Sequence, residues 1–325
     1  MERIGITTTI PIEVLYSAGV IPVDLNNVFI TSNKRLDLVK QAEIAGYPRQ
    51  TCTWIKGIYA ICLQQQIKKV IAVTQGDCSN THALMETLQL EGIEIIPFAY
   101  PYDRDRRMLE LEVDKLIEYL KTNRKKVSET KHYLDYIRNK VKIIDELTIQ
   151  EDKVTGYENH FFQVNCSDFK GNPTCFEREI DEFINECKKK GEIKKKIRLG
   201  YIGVPPIYDN LYEYIESFDC HIVYNEIQRQ FSMPFKTSDI ITQYQMYTYP
   251  YGVFGRIKDI KEQITLRKID GLIHFVQSFC FRQIEDMIIR RKLKLPILTI
   301  EGEEPTSLDA RTKLRIESFI NMLTF

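Results

Sequence analysis

Lys69-Val-Ile-Ala-Val-Thr74 leads through Gln75-Gly-Asp-Cys78-Ser-Asn80 into an amphipathic stretch from Thr81 to Glu91, and Gly92 then opens Ile93-Glu-Ile-Ile-Pro97. The two outer runs are short, apolar and rich in β-branched residues, as strands are. The stretch between them has helical periodicity, and Gly92 is placed to cap it, because the residue after a helix commonly takes the left-handed conformation that glycine adopts without strain. Strand, helix and strand in this order predict a βα unit of a parallel sheet.

The same alternation returns after Lys194-Lys-Lys196. Ile197 to Gly203, Cys220 to Tyr224, Gly271 to Val276 and Pro296 to Ile300 read as strands. Helices are expected near Asn210 to Ser217, Gly255 to Arg267 and Phe281 to Lys292. Between the two series, Asp103 to about Lys190 is charged and helical in period, with Leu109, Val113, Leu116 and Leu120 at three- and four-residue spacing. The expected organisation is an α/β domain over residues 1–150, a helical connection over 151–195 and a second α/β domain over 196–325.

Composition narrows the function. In 325 residues, 43% hydrophobic content supports a sizeable core, and 45 basic residues against 45 acidic ones leave no net field to gather nucleic acid or an anionic membrane. Lys188-Lys-Lys190 and Lys194-Lys-Lys196 around Gly191 read as a solvated hinge. No apolar run reaches the roughly twenty residues of a membrane span, and Met1-Glu-Arg-Ile lacks the basic-then-apolar plan of a signal peptide. A cytoplasmic protein is the expectation, and eight cysteines are too sparse in this length for a disulfide framework. Phosphate-loop, Gly-x-Gly-x-x-Gly and Gly-x-Ser-x-Gly patterns are all missing, so neither nucleotide binding nor a serine nucleophile has a motif. Structural zinc usually draws on Cys-x-x-Cys pairs, and the chain has none.

Three cysteines stand where a strand or loop runs into a helix, in Pro48-Arg-Gln-Thr-Cys52-Thr-Trp, Gln75-Gly-Asp-Cys78-Ser-Asn and His274-Phe-Val-Gln-Ser-Phe-Cys280-Phe-Arg282. Ligands of open α/β sheets gather outside the carboxyl ends of strands, so cysteines distant in sequence can serve one crevice. Three thiolates suit an iron–sulfur cluster and leave one iron open. Simple packing is the other reading, since cysteine behaves as a small hydrophobe; Cys62, Cys187 and Cys220 fit it. Cys166 and Cys175 flank the turn Ser167-Asp-Phe-Lys-Gly-Asn-Pro-Thr174 and are open to either role. His82 could reach the Cys78 region from the next helical turn or simply lie on the surface.

Thr7-Thr-Thr-Ile-Pro-Ile-Glu13-Val-Leu-Tyr-Ser-Ala-Gly19-Val-Ile-Pro22 resembles the opening Pro-x-Glu motif of the 2-hydroxyacyl-CoA dehydratase family, of the 2-hydroxyglutaryl-CoA dehydratase D-component type, with Ser17 where that pattern has alanine. Further segments keep the family's order. They are the Cys52 and Gly-Asp-Cys78 segments, Arg198-Leu-Gly-Tyr-Ile-Gly203-Val-Pro, Ile215-Glu216, Val223-Tyr-Asn-Glu226, Ile269-Asp-Gly-Leu-Ile-His274 with Phe279-Cys280, Leu295-Pro-Ile-Leu-Thr-Ile-Glu301-Gly-Glu303 and Arg311-Thr-Lys-Leu-Arg315-Ile-Glu-Ser-Phe319.

The resemblance implies two doubly wound, Rossmann- or flavodoxin-like parallel-sheet domains joined by a helical segment, with a 4Fe–4S cluster held by Cys52, Cys78 and Cys280 in the crevice between them. It implies a ketyl-radical elimination of water from a 2-hydroxyacyl thioester, dependent on a separate ATP-hydrolysing iron–sulfur activator. Glu13 is the candidate base, its alternative being an acidic first turn at a helix start. The family pairs two homologous, longer subunits, so a homodimer or a heterodimer is expected, with an acyl-CoA or other small molecule as substrate. A related branch carries an 8Fe–9S double cubane and reduces small molecules with ATPase help; there Cys166 and Cys175 would become ligands. A non-enzymatic, cluster-bearing electron carrier is the third reading.

Overall fold

The computed structural model describes residues 1–324. In chain order its first elements are β1 (Arg3–Ile6), α1 (Ile12–Ser17), β2 (Ile21–Asp24), α2 (Leu25–Thr31), α3 (Arg35–Ile44), α4 (Thr53–Gln64), β3 (Lys69–Gln75), α5 (Thr81–Leu90) and β4 (Glu94–Ala99). Helices α6 (Arg106–Tyr119), α7 (Arg124–Ile149), α8 (Gly156–Val164) and α9 (Pro173–Cys187) follow, the last preceded by 3₁₀ turns at Asn165–Ser167 and Phe169–Gly171. Then come β5 (Ile197–Gly203), α10 (Leu211–Glu216), β6 (Cys220–Asn225), α11 (Glu226–Phe231), α12 (Ile240–Met246) and α13 (Val253–Arg267). The chain finishes with β7 (Gly271–Gln277), a 3₁₀ turn at Phe281–Ile284, α14 (Glu285–Lys292), β8 (Ile297–Gly302) and α15 (Ala310–Thr324).

These elements form two compact units. The first comprises residues 1–139, 165–177 and 233–252; the second comprises 140–164, 178–232 and 253 onward. Each is built on one four-stranded parallel sheet, as the alternation of apolar and amphipathic stretches predicts. No helix among the described residues is long and apolar enough to cross a membrane.

In the first unit the strand order is β2-β1-β3-β4, with Ile4 opposite Pro22, Gly5 opposite Val70 and Ile71 opposite Ile96. Val70 and Ala72 meet Ile55, Ile58, Ile61 and Cys62 of α4 and Leu84 and Leu88 of α5 in one core. Residues 55–62 of α4 are buried without a break over more than two turns, so this helix is enclosed on nearly all sides rather than along one face. Each fully buried aliphatic side chain there contributes about 1.5–3 kcal/mol before entropy is counted. Burial pushes the Cys62 thiol up to about 12, as expected of a packed, protonated cysteine.

The second unit repeats the order as β6-β5-β7-β8. Every residue of β6 and β7 is buried, which is why both read as continuous apolar runs rather than alternating ones. Ile202, Tyr224 and Leu272 pack against Ile257 and Ile260 of α13 and Ile289 of α14. Gly203 ends β5 with φ +93°, and a Cβ there would stand 2.1 Å from the Phe275 carbonyl oxygen. Only glycine lets β5 turn away so close to β7.

In both sheets the chain changes its direction of winding beside the strand that came first, between β1 and β3 and between β5 and β7. The crevice at the carboxyl ends beside such a switch is where open α/β sheets bind ligands. Thr7 to Pro11 and Gly76 to Asn80 leave the first sheet there; Val204 and Ser278 to Cys280 leave the second.

Candidate functional site

Strands β3 and β7 occupy the same place in their sheets, each has seven residues, and each ends in glutamine, at Gln75 and Gln277. Three residues beyond each glutamine stands a cysteine, Cys78 in one unit and Cys280 in the other. Both are partly buried, so their sulfur atoms are neither lost in a core nor left on an open surface.

Cys52 belongs to the first unit with Cys78. It is the N-cap of α4, 5% exposed, and its carbonyl accepts the N–H groups of Ile55 at 3.0 Å and Lys56 at 3.2 Å. Because α4 leads into β3 it runs against the parallel strands, which puts its first turn at their carboxyl end. Cys52 and Cys78 pack on the same core. One turn into α4, the buried Lys56 ammonium donates to Glu43 Oε1 at 2.7 Å and to the Arg49 carbonyl at 3.0 Å, closing down the segment that delivers Cys52. His82 is exposed, with Nε2 3.1 Å from the Thr74 carbonyl at the end of β3.

Around Cys280 the second unit forms a cleft lined by Gly203, Arg256, Gln277 and Arg282. Arg256 grips Glu226 through two parallel bonds, Nε to Oε1 at 2.7 Å and Nη2 to Oε2 at 2.9 Å, and its Nη1 donates to Glu285. The Gly203 N–H donates to Glu226 Oε2 at 2.9 Å. Burial alone pushes the Glu226 carboxyl up, but the Arg256 guanidinium and these hydrogen bonds outweigh it and hold the group below the usual carboxylate range. The result is a fixed, ionised floor beside the Cys280 loop.

Glu13, in the first turn of α1, has no exposed surface. Its Oε1 accepts Arg138 Nη1 and Gln243 Nε2, both at 2.7 Å, and its Oε2 accepts the Tyr244 hydroxyl at 2.9 Å. Both oxygens are therefore engaged, Oε1 by two donors and Oε2 by one. The periodicity of the sequence marks Glu13 as a helix start; it carries no sign that its partners lie over a hundred residues away.

Cys166 is buried in a 3₁₀ turn, where burial pushes its thiol up to about 12, whereas Cys175 is half-buried in the first turn of α9. Beside Cys166 lies a buried acidic pair that leaves no local signature in the sequence. Asp24 caps α2 by accepting the Asn26 N–H at 3.0 Å, and its own N–H donates to Asp168 Oδ2 at 2.8 Å. Burial, reinforced by the Asp24 charge, pushes the Asp168 carboxyl up to about 7.

Within either unit, among the described residues, no three His, Cys, Asp or Glu side chains are placed to hold a metal ion. The model of the 2-hydroxyglutaryl-CoA dehydratase D-component family matches residues 7–323. The chain belongs to this family. No curated protein matches it. In kind, three thiols at the carboxyl-end side of their sheets, Cys52, Cys78 and Cys280, would fit an iron–sulfur cluster, whereas Cys220 is shut inside a strand. As a dehydratase component the chain falls among enzymes of the hydro-lyase kind.

Proposed function

We propose that the chain is the iron–sulfur subunit of a reductively activated 2-hydroxyacyl-CoA dehydratase. The observation that carries this reading is the family match over nearly the whole chain. Cys52 and Cys78 from the first unit and Cys280 from the second are the proposed ligands of a 4Fe–4S cluster, each giving up its thiol proton on binding. When bound, such a cluster with one open iron supplies a Lewis acid for a thioester oxygen and a single electron for the elimination of water.

The protein's own part is to hold and to shield. Lys56 fixes the approach to Cys52, the Glu226–Arg256 pair fixes the wall beside Cys280, and Glu13, held by Arg138, Gln243 and Tyr244, is the proposed carboxylate base for the β-proton. An ATP-hydrolysing activator is the proposed electron donor, docking at the Cys52 and Cys280 loops, because the chain has no nucleotide motif of its own. A homologous or identical second subunit is the proposed partner.

Anaerobic reconstitution with iron and sulfide, followed by electron paramagnetic resonance and turnover of a 2-hydroxyacyl-CoA, tests the proposal. Turnover is expected only with activator and ATP; sustained turnover without them makes the enzyme autonomous. Iron at the level of a double cubane establishes the double-cubane reductase instead. Cluster redox changes without thioester binding establish an electron carrier.

A further inference from the structure

We infer that Glu301 is a positioning residue for Cys280, acting as a staple across the loop that carries it. Glu301 lies in β8, paired with Val276 of β7. Its Oε1 accepts two hydrogen bonds, from the Ser278 hydroxyl at 2.9 Å and from Gln283 Nε2 at 2.8 Å. Ser278 precedes Cys280 by two residues and Gln283 follows it by three, so one carboxylate oxygen closes a ring around the cysteine.

The backbone of this loop is strained. Phe279 has φ +62°, a left-handed conformation that a bulky side chain rarely takes. It brings the Cys280 N–H to the Gln277 carbonyl at 3.2 Å and the Gln283 N–H to the Cys280 carbonyl at 3.0 Å. Such a conformation persists only where the surroundings over-determine it. Three restraints come from β8 and its continuation: the Ser278 N–H to the Gly302 carbonyl at 2.8 Å, Gln277 Nε2 to the Glu303 carbonyl at 3.0 Å, and the Glu301 staple. Of these three restraints, the staple is the one that spans both sides of Cys280.

As an account of ligand placement this rests on the dehydratase reading, but the tether is testable without any cluster. The rate of iodoacetamide alkylation at Cys280 and Cys78 is measured by mass spectrometry in the full chain. Losing two hydrogen bonds to one carboxylate is expected to raise the Cys280 rate about 5-fold or more in Glu301→Ala, with Cys78 unchanged. Glu301→Gln keeps an acceptor oxygen and should stay near the parent rate. Removing a negative charge could itself quicken the thiol, so the double variant Ser278→Ala, Gln283→Ala removes the donors and leaves the charge. It should match Glu301→Ala, and adding Glu301→Ala to it should change little.

An unchanged Cys280 rate in Glu301→Ala, or an equal rise at Cys78, overturns the staple. So does a parent-like rate in the double variant. Iron content of Cys280→Ala after reconstitution is read separately: full retention removes Cys280 from the ligand set and leaves the alkylation result standing.

Discussion

Glu13 Oε1 and Arg138 Nη1 lie 2.7 Å apart with 0% and 3% of their side chains exposed. Asp135 shares the same Arg138 nitrogen at 3.0 Å. Removing either partner takes a buried charge's nearest counter-charge but leaves Asp135 on Arg138 and Gln243 and Tyr244 on Glu13, so Glu13→Ala or Arg138→Ala should each cost about 3 kcal/mol, the low end for a broken buried pair, in urea unfolding. The double variant should cost clearly less than the sum. Glu13→Gln separates anchor from base: if dehydration is lost while the unfolding midpoint barely moves, the carboxylate takes part in proton transfer.

Gly203→Ala should be disproportionately damaging for a single methyl group. At φ +93° with the Phe275 carbonyl oxygen 2.1 Å from the new Cβ, the chain must move away from β7. Strain alone is about 1–3 kcal/mol, and the Glu226 contact to the Gly203 N–H is displaced with it. Near-parental chemical stability would show that the turn yields to a side chain without straining β7.

Stability should carry a pH signature from Glu216. Burial pushes its carboxyl from 4.5 up to about 7, against hydrogen bonds from the Gly156 and Ile222 N–H groups. Because the folded value is the higher one, the folded protein keeps a proton that the unfolded chain has lost. Its contribution is full below about 4.5 and is lost as pH rises through about 7, amounting to roughly 3 kcal/mol at most. Glu216→Gln should flatten this part of the unfolding free energy against pH. A slope unchanged by the substitution assigns it to another group.

Ala substitution at Cys52, Cys78 or Cys280 should remove or degrade the reconstituted cluster, because two thiolates hold it poorly. Cys166→Ala and Cys175→Ala should leave a single cubane intact. Iron and sulfide per chain, with the visible absorption, give the answer. Loss of half of a double-cubane iron complement in the last two variants would reverse their roles.

Much of the fold was legible because strands buried on both faces leave unbroken apolar runs. β3, β5, β6 and β7 announce themselves in this way, whereas the edge strand β8 is only partly buried, and Gly92 and Gly203 mark places where the chain turns. β1 and β2 are four residues each, too short for a pattern to stand out from the loops beside them. The assignment of 165–177 and 233–252 to the first unit was invisible, since periodicity reports that a face is buried and not which core buries it. At the candidate site the cysteines could be placed at strand ends. Arg138, Gln243 and Tyr244 could not be paired with Glu13, because hydrogen bonds across such separations leave no local trace.

The interleaving of the two units bears on how the protein is made. A nascent chain holds Glu13 and Arg138 early, but Gln243 and Tyr244 leave the ribosome some 230 residues after Glu13. At about 5–20 residues per second that delay is on the order of ten seconds or more. During it the Glu13 carboxylate lacks two of its three donors, and the Tyr100 hydroxyl-to-Thr9 link forms without the Tyr244, Tyr247 and Tyr251 rings that later pack on it. The first unit therefore gains its last contacts only after residue 252 has emerged, so its completion is post-translational with respect to its amino end.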